Sequence, residues 1–136
     1  ERIDAAGRSI ALGPLTVTEF PEARQTDSRQ RRDDEAARLL QAAVRAECRV
    51  LLDERGKQLS SEAFAAWLAA ERDRGVREAA FLLGGPDGHG DGVRTAATLR
   101  LSLGPMTLPH GLARVVLAEQ LYRAITIISG HPYHRA

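Results

Sequence analysis

The sequence contains little cysteine, almost no lysine and no long apolar run. Its single cysteine, Cys48, cannot form an internal disulfide, which is the usage expected in a reducing cytoplasm. The longest apolar stretches, Ala79–Leu83 and Ala124–Ile128, are far too short to span a bilayer. Residues 1–13 lack the charged and then apolar pattern of a signal peptide. We therefore expect a cytoplasmic protein that binds no membrane.

Lysine occurs once, at Lys57, although the 136 residues carry 19 basic and 18 acidic side chains. The net charge of +1 excludes a dedicated nucleic-acid binder, which would be far more basic. The charge is uneven, because residues 101–136 hold three arginines against Glu119 and three of the four histidines. This weakly basic C-terminal third favours an anionic partner.

The chain length and the 43% hydrophobic content predict one globular domain over residues 1–136. Apolar runs alternate with turn signals, and the pattern predicts an α/β fold in which a parallel sheet is flanked by helices. The predicted strands are Leu15–Phe20, Arg49–Asp53, Ala79–Leu83 and Leu99–Leu103. The predicted helices run from Asp33 or Asp34 to about Ala46, from a cap at Ser60 to just before Gly75, over a short stretch to about Ala97, and over Gly111–Ser129. Residues 21–32 are predicted to be a mobile loop.

Ligands of parallel sheets bind in the loops that follow the carboxyl ends of the strands. The three loops in that position are Asp53–Gly56, Gly84–Gly92 and Gly104–Pro109. The second has five glycines in nine residues but matches neither G-x-G-x-x-G nor a GK[ST] phosphate loop. A small-molecule site and a flexible turn are equally open interpretations of it. His89 and Asp91 within it are too few to predict a metal site.

The loop Gly104–Pro109, here called the proline loop, contains two prolines that fix φ and remove backbone donors. A stiff loop of carbonyl and apolar groups suits a cationic sulfonium nucleoside better than a phosphate. The alternative is a rigid connection to the last helix.

The C-terminal tail, His131–Arg135, combines two imidazoles, a phenol and a guanidinium. This mixture can contact phosphate, stack on a base and move a proton. The alternative is a frayed terminus without function. Upstream, the i,i+4 spacing of Glu119 and Arg123 predicts an exposed ion pair. Phe64 and Trp67 are predicted to be core residues.

Four separated motifs resemble one family. They are FLLGGPDG at Phe81–Gly88, LSLGPMTLPH at Leu101–His110, VVLAEQLYR at Val115–Arg123 and HPYHR at His131–Arg135. They closely resemble the RlmH family, SPOUT-class methyltransferases that modify N3 of a pseudouridine in large-subunit ribosomal RNA. The resemblance is loose over residues 1–50 and tight from about Val50 onward.

The resemblance implies a homodimer with a C-terminal trefoil knot, S-adenosylmethionine as cofactor, and ribosomal RNA in the assembled ribosome as partner. It implies cofactor contacts at Leu52, Gly85, Gly104, Pro105, Met106, Thr107, Leu108 and Pro109. It also places His110 near the cofactor loop and Tyr133, His134 and Arg135 near the target base. Among these, His134 is predicted to handle the N3 proton, Arg135 to stabilise the uracil anion or a phosphate, and Tyr133 to stack on the base.

Two features depart from that family. Its members begin with a strand and a long helix, whereas Glu1–Ala6 has the pattern of the last turns of a helix, so we expect the N-terminal strand to be missing. The glycine-rich loop also holds more glycine than is typical. Two other functions stay open: a cofactor- or RNA-binding module without turnover, and a nucleotide-binding protein that uses Gly84–Gly92 for phosphate. The absence of a lysine near that loop counts against the second.

Overall fold

The computed structural model describes residues 2–10, 12–17, 27–83 and 96–135. The chain divides into two compact units. We call residues 18–58 and 77–113 the sheet unit, and residues 1–17, 59–76 and 114–136 the helical unit.

The sheet unit is built on three parallel strands in the order β2-β1-β3. They are β1 (Cys48–Gln58), β2 (Ala79–Leu82) and β3 (Leu99–Ser102). The apolar run of β1 explains its central position, since Val50 and Leu51 are completely buried and a strand between two neighbours needs apolar side chains on both faces. Cys48 is buried as well. The predicted α/β class and these three strands are confirmed.

Strand β1 is longer than predicted because it pairs with β3 twice. Leu52 lies opposite Leu101, and after four more residues Lys57 lies opposite the same leucine. The residues between them, Asp53–Gly56, leave the ladder as a bulge, which the Asp53 carboxylate shapes by accepting a hydrogen bond from the Arg55 N–H at 3.0 Å. The prediction that the strand ends at Asp53 is therefore wrong.

Helix α2 (Ser28–Ala42) begins earlier than the sequence predicts. Asp27 caps it, accepting a hydrogen bond from the Arg29 N–H at 2.9 Å. The first turns are charged and polar, so they show no apolar periodicity that would reveal the helix. Further along, Ala36 of α2 and Ala43, directly after its end, pack with Leu51 and Leu82, so that this segment covers one face of the sheet.

The helical unit contains α1 (Arg2–Gly7), a 3₁₀ turn (Arg8–Ile10), α3 (Ser61–Asp73) and, from Arg114 onward, α4 (His110–Ser129). Ser60 caps α3 by accepting from the Ala63 N–H at 3.0 Å, as predicted. The prediction for α4 is confirmed, and so is the buried position of Phe64; Trp67 is half-buried and stacks on it. The buried residues of α4 are Leu117, Leu121, Ala124, Ile125 and Thr126.

The predicted strand Leu15–Phe20 is not formed over the residues that the structure describes. Leu15–Val17 has no regular secondary structure, and Leu15 and Val17 are 40% and 61% exposed. The rest of that segment, the glycine-rich loop Gly84–Gly92 and most of the short helix before Ala97 lie outside the described residues. None of the helices in the described ranges is long and apolar enough to cross a membrane.

Candidate functional site

The structure brings two of the three predicted ligand loops together. Because β1 and β3 are parallel neighbours, the bulge Asp53–Gly56 and the proline loop emerge at the same edge of the sheet. Thr107 Oγ1 donates a hydrogen bond to Glu54 Oε2 at 3.2 Å. Ser102 Oγ lies 3.1 Å from the Glu54 carbonyl oxygen. The third loop, which includes Gly85, lies outside the described residues.

Ser102, at the end of β3, holds the start of the proline loop. Its buried hydroxyl accepts from the Gly104 N–H at 3.0 Å and donates to the Gly104 or the Glu54 carbonyl oxygen. Gly104 has φ +123°, a conformation that side-chain-bearing residues rarely adopt. The loop therefore leaves the sheet in a direction that one serine and one glycine determine.

We expect Ser102→Ala to lower the free energy of unfolding by about 1–2 kcal/mol, because the Gly104 N–H loses its acceptor. Urea unfolding measures this change. Ser129→Ala, at the exposed end of α4, is the matched control and should change stability by less than about 0.5 kcal/mol. Equal loss in the two variants would contradict the role of Ser102.

Three of the six residues in the proline loop offer no free backbone N–H. Pro105 and Pro109 have no N–H, and Ser102 already occupies that of Gly104. Met106 is 79% exposed, and the carboxylate of Glu54 lies beside the loop. Such a surface can hold a ligand that is cationic and partly apolar. The other predicted cofactor residues are placed as follows: Leu52 and Leu108 are half-buried, and Pro105, Thr107 and Pro109 are exposed, as is His110 at the start of α4.

In the helical unit, the C-terminal tail folds back on α4. The turn is made at Gly130, where φ is +77°; the His131 N–H donates to the Thr126 carbonyl oxygen at 2.9 Å. The ring of Tyr133 then packs edge-on against Tyr122, with 4.8 Å between centroids. The tail therefore makes specific contacts with α4 within this unit.

Glu119 and Arg123 form the predicted ion pair, at 2.8 Å, but the pair is less exposed than predicted. The guanidinium of Arg123 also lies 4.9 Å from the centre of the Tyr133 ring. The hydrogen bond to Glu119 raises the pKa of Arg123 above its ordinary value. Arg123 is therefore a permanent cation that can only donate hydrogen bonds.

His134 is bound at both ring nitrogens. Its Nδ1 lies 3.0 Å from Arg123 Nη1, and its Nε2 lies 2.5 Å from Glu62 Oε1. Since a guanidinium cannot accept, Nδ1 must be the acceptor, which leaves the proton on Nε2. His134 is thus a neutral imidazole of defined tautomer whose lone pair faces Arg123.

The structure places the three predicted tail residues differently. Tyr133 and His134 belong to the cluster around Arg123, whereas Arg135 is exposed and has no hydrogen-bond or ion-pair partner among the described residues. Sequence reasoning missed Glu62 and the part that Arg123 plays in the cluster. The i,i+4 spacing was a signal for Arg123, but nothing in the sequence connects Glu62 with His134, which lies 72 residues later.

No group of three or more side chains that could bind a metal ion lies together in the described part of the chain. His89 and Asp91, which were too few to predict a metal site, lie outside the described residues.

The sequence is similar to a known protein family and to several known proteins. Residues 5–134 match the family described as "Predicted SPOUT methyltransferase". Two relatives named Ribosomal RNA large subunit methyltransferase H, from Xanthobacter autotrophicus and Brucella anthropi, are 49% and 47% identical over the whole chain and 85% of their own length. A relative of the same name from a Chelativorans species is 49% identical over 99% of the chain and 78% of its own length.

Proposed function

The chain belongs to the RlmH family of SPOUT methyltransferases, and from that premise we propose that it methylates N3 of a pseudouridine in large-subunit ribosomal RNA. The proposed methyl donor is S-adenosylmethionine. We further propose that the enzyme is a cytoplasmic homodimer with a C-terminal trefoil knot, and that it acts on the assembled ribosome.

The chemistry of the proline loop is the observation that carries the choice of donor. S-adenosylmethionine, when bound, supplies a methyl group on a positively charged sulfonium, activated for attack by a ring nitrogen. The lack of a free backbone N–H at Gly104, Pro105 and Pro109 disfavours a phosphate at these positions, and the Glu54 carboxylate favours a cation. These loop residues, together with Leu52, would hold the cofactor, and Gly85 stays a prediction from the resemblance.

The tail supplies groups for the nucleotide. When the bond from N3 to the methyl carbon forms and the carbon–sulfur bond of the donor breaks, the imide N3 of the target base would have to lose its proton, because deprotonation gives the nitrogen an electron pair in the ring plane. We assign that proton to Nδ1 of His134, the ring nitrogen with the lone pair, which gives up its contact with Arg123 when it accepts. Arg135, exposed and unpaired among the described residues, stabilises the uracil anion or a phosphate, and Tyr133 stacks on the base.

The test is transfer of labelled methyl from S-adenosylmethionine to ribosomes that lack the modification, followed by nucleoside analysis. We expect the label in N3-methylpseudouridine, and no label when free ribosomal RNA replaces the ribosomes. Label in another nucleoside would contradict the proposed target. Cofactor binding without any label would favour a binding module without turnover.

A binding comparison tests the cofactor separately. We expect S-adenosylmethionine to bind and ATP not to bind at the same concentrations, measured by calorimetry. Binding of ATP alone would favour a nucleotide-binding protein. Light scattering at the same concentrations tests the homodimer.

A further inference from the structure

A chain of hydrogen bonds joins the first turn of α3 to α4. Ser61 Oγ donates to Gln120 Oε1 at 2.7 Å, and Gln120 Nε2 donates to Glu119 Oε2 at 3.0 Å. Glu119 in turn binds the guanidinium of Arg123 through its other oxygen. The start of α3 is therefore held against the part of α4 that carries Arg123.

A second set of bonds returns from α4 to the same turn of α3. Arg123 donates to Nδ1 of His134, and Nε2 of His134 donates to the carboxylate of Glu62, the residue after Ser61. These bonds close a circuit between the first turn of α3 and α4. One neutral tautomer of His134 satisfies both neighbours, because Arg123 only donates and an ionised Glu62 only accepts.

We propose that Glu62 is a positioning residue for the reaction: its carboxylate holds the His134 ring and keeps the proton on Nε2, which leaves Nδ1 to accept the substrate proton. The part concerning the substrate proton rests on the proposed function. An acidic residue in the first turn of a helix also stabilises that helix by its interaction with the helix dipole. That effect needs no contact with His134, so it does not account for the 2.5 Å hydrogen bond.

Two substitutions separate the roles. Glu62→Gln keeps an oxygen that accepts from Nε2–H, so the tautomer and the ring position should be retained. Glu62→Lys places a donor there while Arg123 still donates to Nδ1. A neutral imidazole has one lone pair, so one of the two contacts must break. Asp73→Lys, at the other end of α3, makes the same change of charge without touching His134 and is the matched control.

The first readout is the long-range proton–nitrogen NMR spectrum of the His134 ring at neutral pH, which reports where the proton lies and needs no substrate. We expect the Nε2–H pattern in the wild-type protein, Glu62→Gln and Asp73→Lys, and its loss in Glu62→Lys. An unchanged His134 spectrum in Glu62→Lys would overturn the proposal.

The second readout is methyl transfer to ribosomes. We expect kcat to fall about tenfold or more in Glu62→Lys, and to stay within about threefold of wild type in Glu62→Gln and Asp73→Lys, because misplacing a reacting group by about 1 Å costs that much or more. The affinity for S-adenosylmethionine should not change. Equal kcat values in Glu62→Lys and Asp73→Lys would overturn the role in catalysis. A wild-type protein without any transfer would instead overturn the proposed function, while the NMR result still decides whether Glu62 positions His134.

Discussion

Replacing His134 with alanine should lower kcat for methyl transfer by about 10²-fold or more while the affinity for S-adenosylmethionine stays within about twofold. A side chain that takes a proton in the transition state contributes about 10²–10⁴-fold to the rate. Arg123 and Glu62 hold the His134 ring from both sides, so that the lone pair of Nδ1 has a defined orientation. Single-turnover kinetics on ribosomes lacking the modification measures the first quantity, and calorimetry measures the second.

His131→Ala is the matched control, since His131 lies in the same tail but is exposed and forms no hydrogen bond with the described side chains of Arg123 and Glu62. We expect its kcat to stay within about threefold of wild type. Equal losses of kcat and of cofactor affinity in His134→Ala would indicate that the residue supports the fold and does not handle the proton. Thermal unfolding of both variants checks that they remain folded.

Replacing Gly56 with alanine should lower the free energy of unfolding by about 2–3 kcal/mol. A Cβ at this position would lie 2.6 Å from the carbonyl carbon and oxygen of Arg100 and 2.9 Å from the Leu101 nitrogen. All three atoms belong to the backbone of β3, so the strand itself must move, and overpacking of this kind typically costs about 1–3 kcal/mol. Urea unfolding measures the effect.

The same movement should weaken cofactor binding, because β3 leads directly into the proline loop. Gly111→Ala serves as the control: a Cβ there meets nothing within 4 Å, and the residue lies in helix α4, where alanine is preferred over glycine. Its stability should be unchanged or slightly higher. If both variants unfold at the same urea concentration, this would contradict the prediction that β1 and β3 lie too close together at Gly56 to admit a side chain.

Several elements were predictable because their signals are local. Ser60 and Gly75 mark the two ends of α3, since a hydroxyl cap and a glycine beyond the last turn act on neighbouring backbone groups. The short apolar runs of β2 and β3 were found for the same reason. The predicted start of helix α2 was several residues too late, because its first turns are polar and show no apolar face. Their start is marked only by the cap at Asp27.

The bulge after Leu52 was not predictable from the sequence. It forms because Leu52 and Lys57 of β1 both pair with Leu101 of β3, and this pairing depends on a strand that is distant in the chain. Leu15–Val17 shows the opposite error: alternating apolar residues predicted a strand, but such a pattern forms one only where a neighbouring strand accepts its hydrogen bonds.

The sequence by itself determined the α/β class, the family and the residue types of the two candidate regions, because composition, periodicity and motifs are properties of neighbouring residues. Only the tertiary structure decided which of them meet. It placed Glu54 against Thr107, and it placed Glu62 and Arg123 on opposite nitrogens of His134. Hydrogen bonds between residues far apart in the chain depend on how strands and helices pack. No local sequence pattern shows which distant residues will lie within hydrogen-bonding distance of each other.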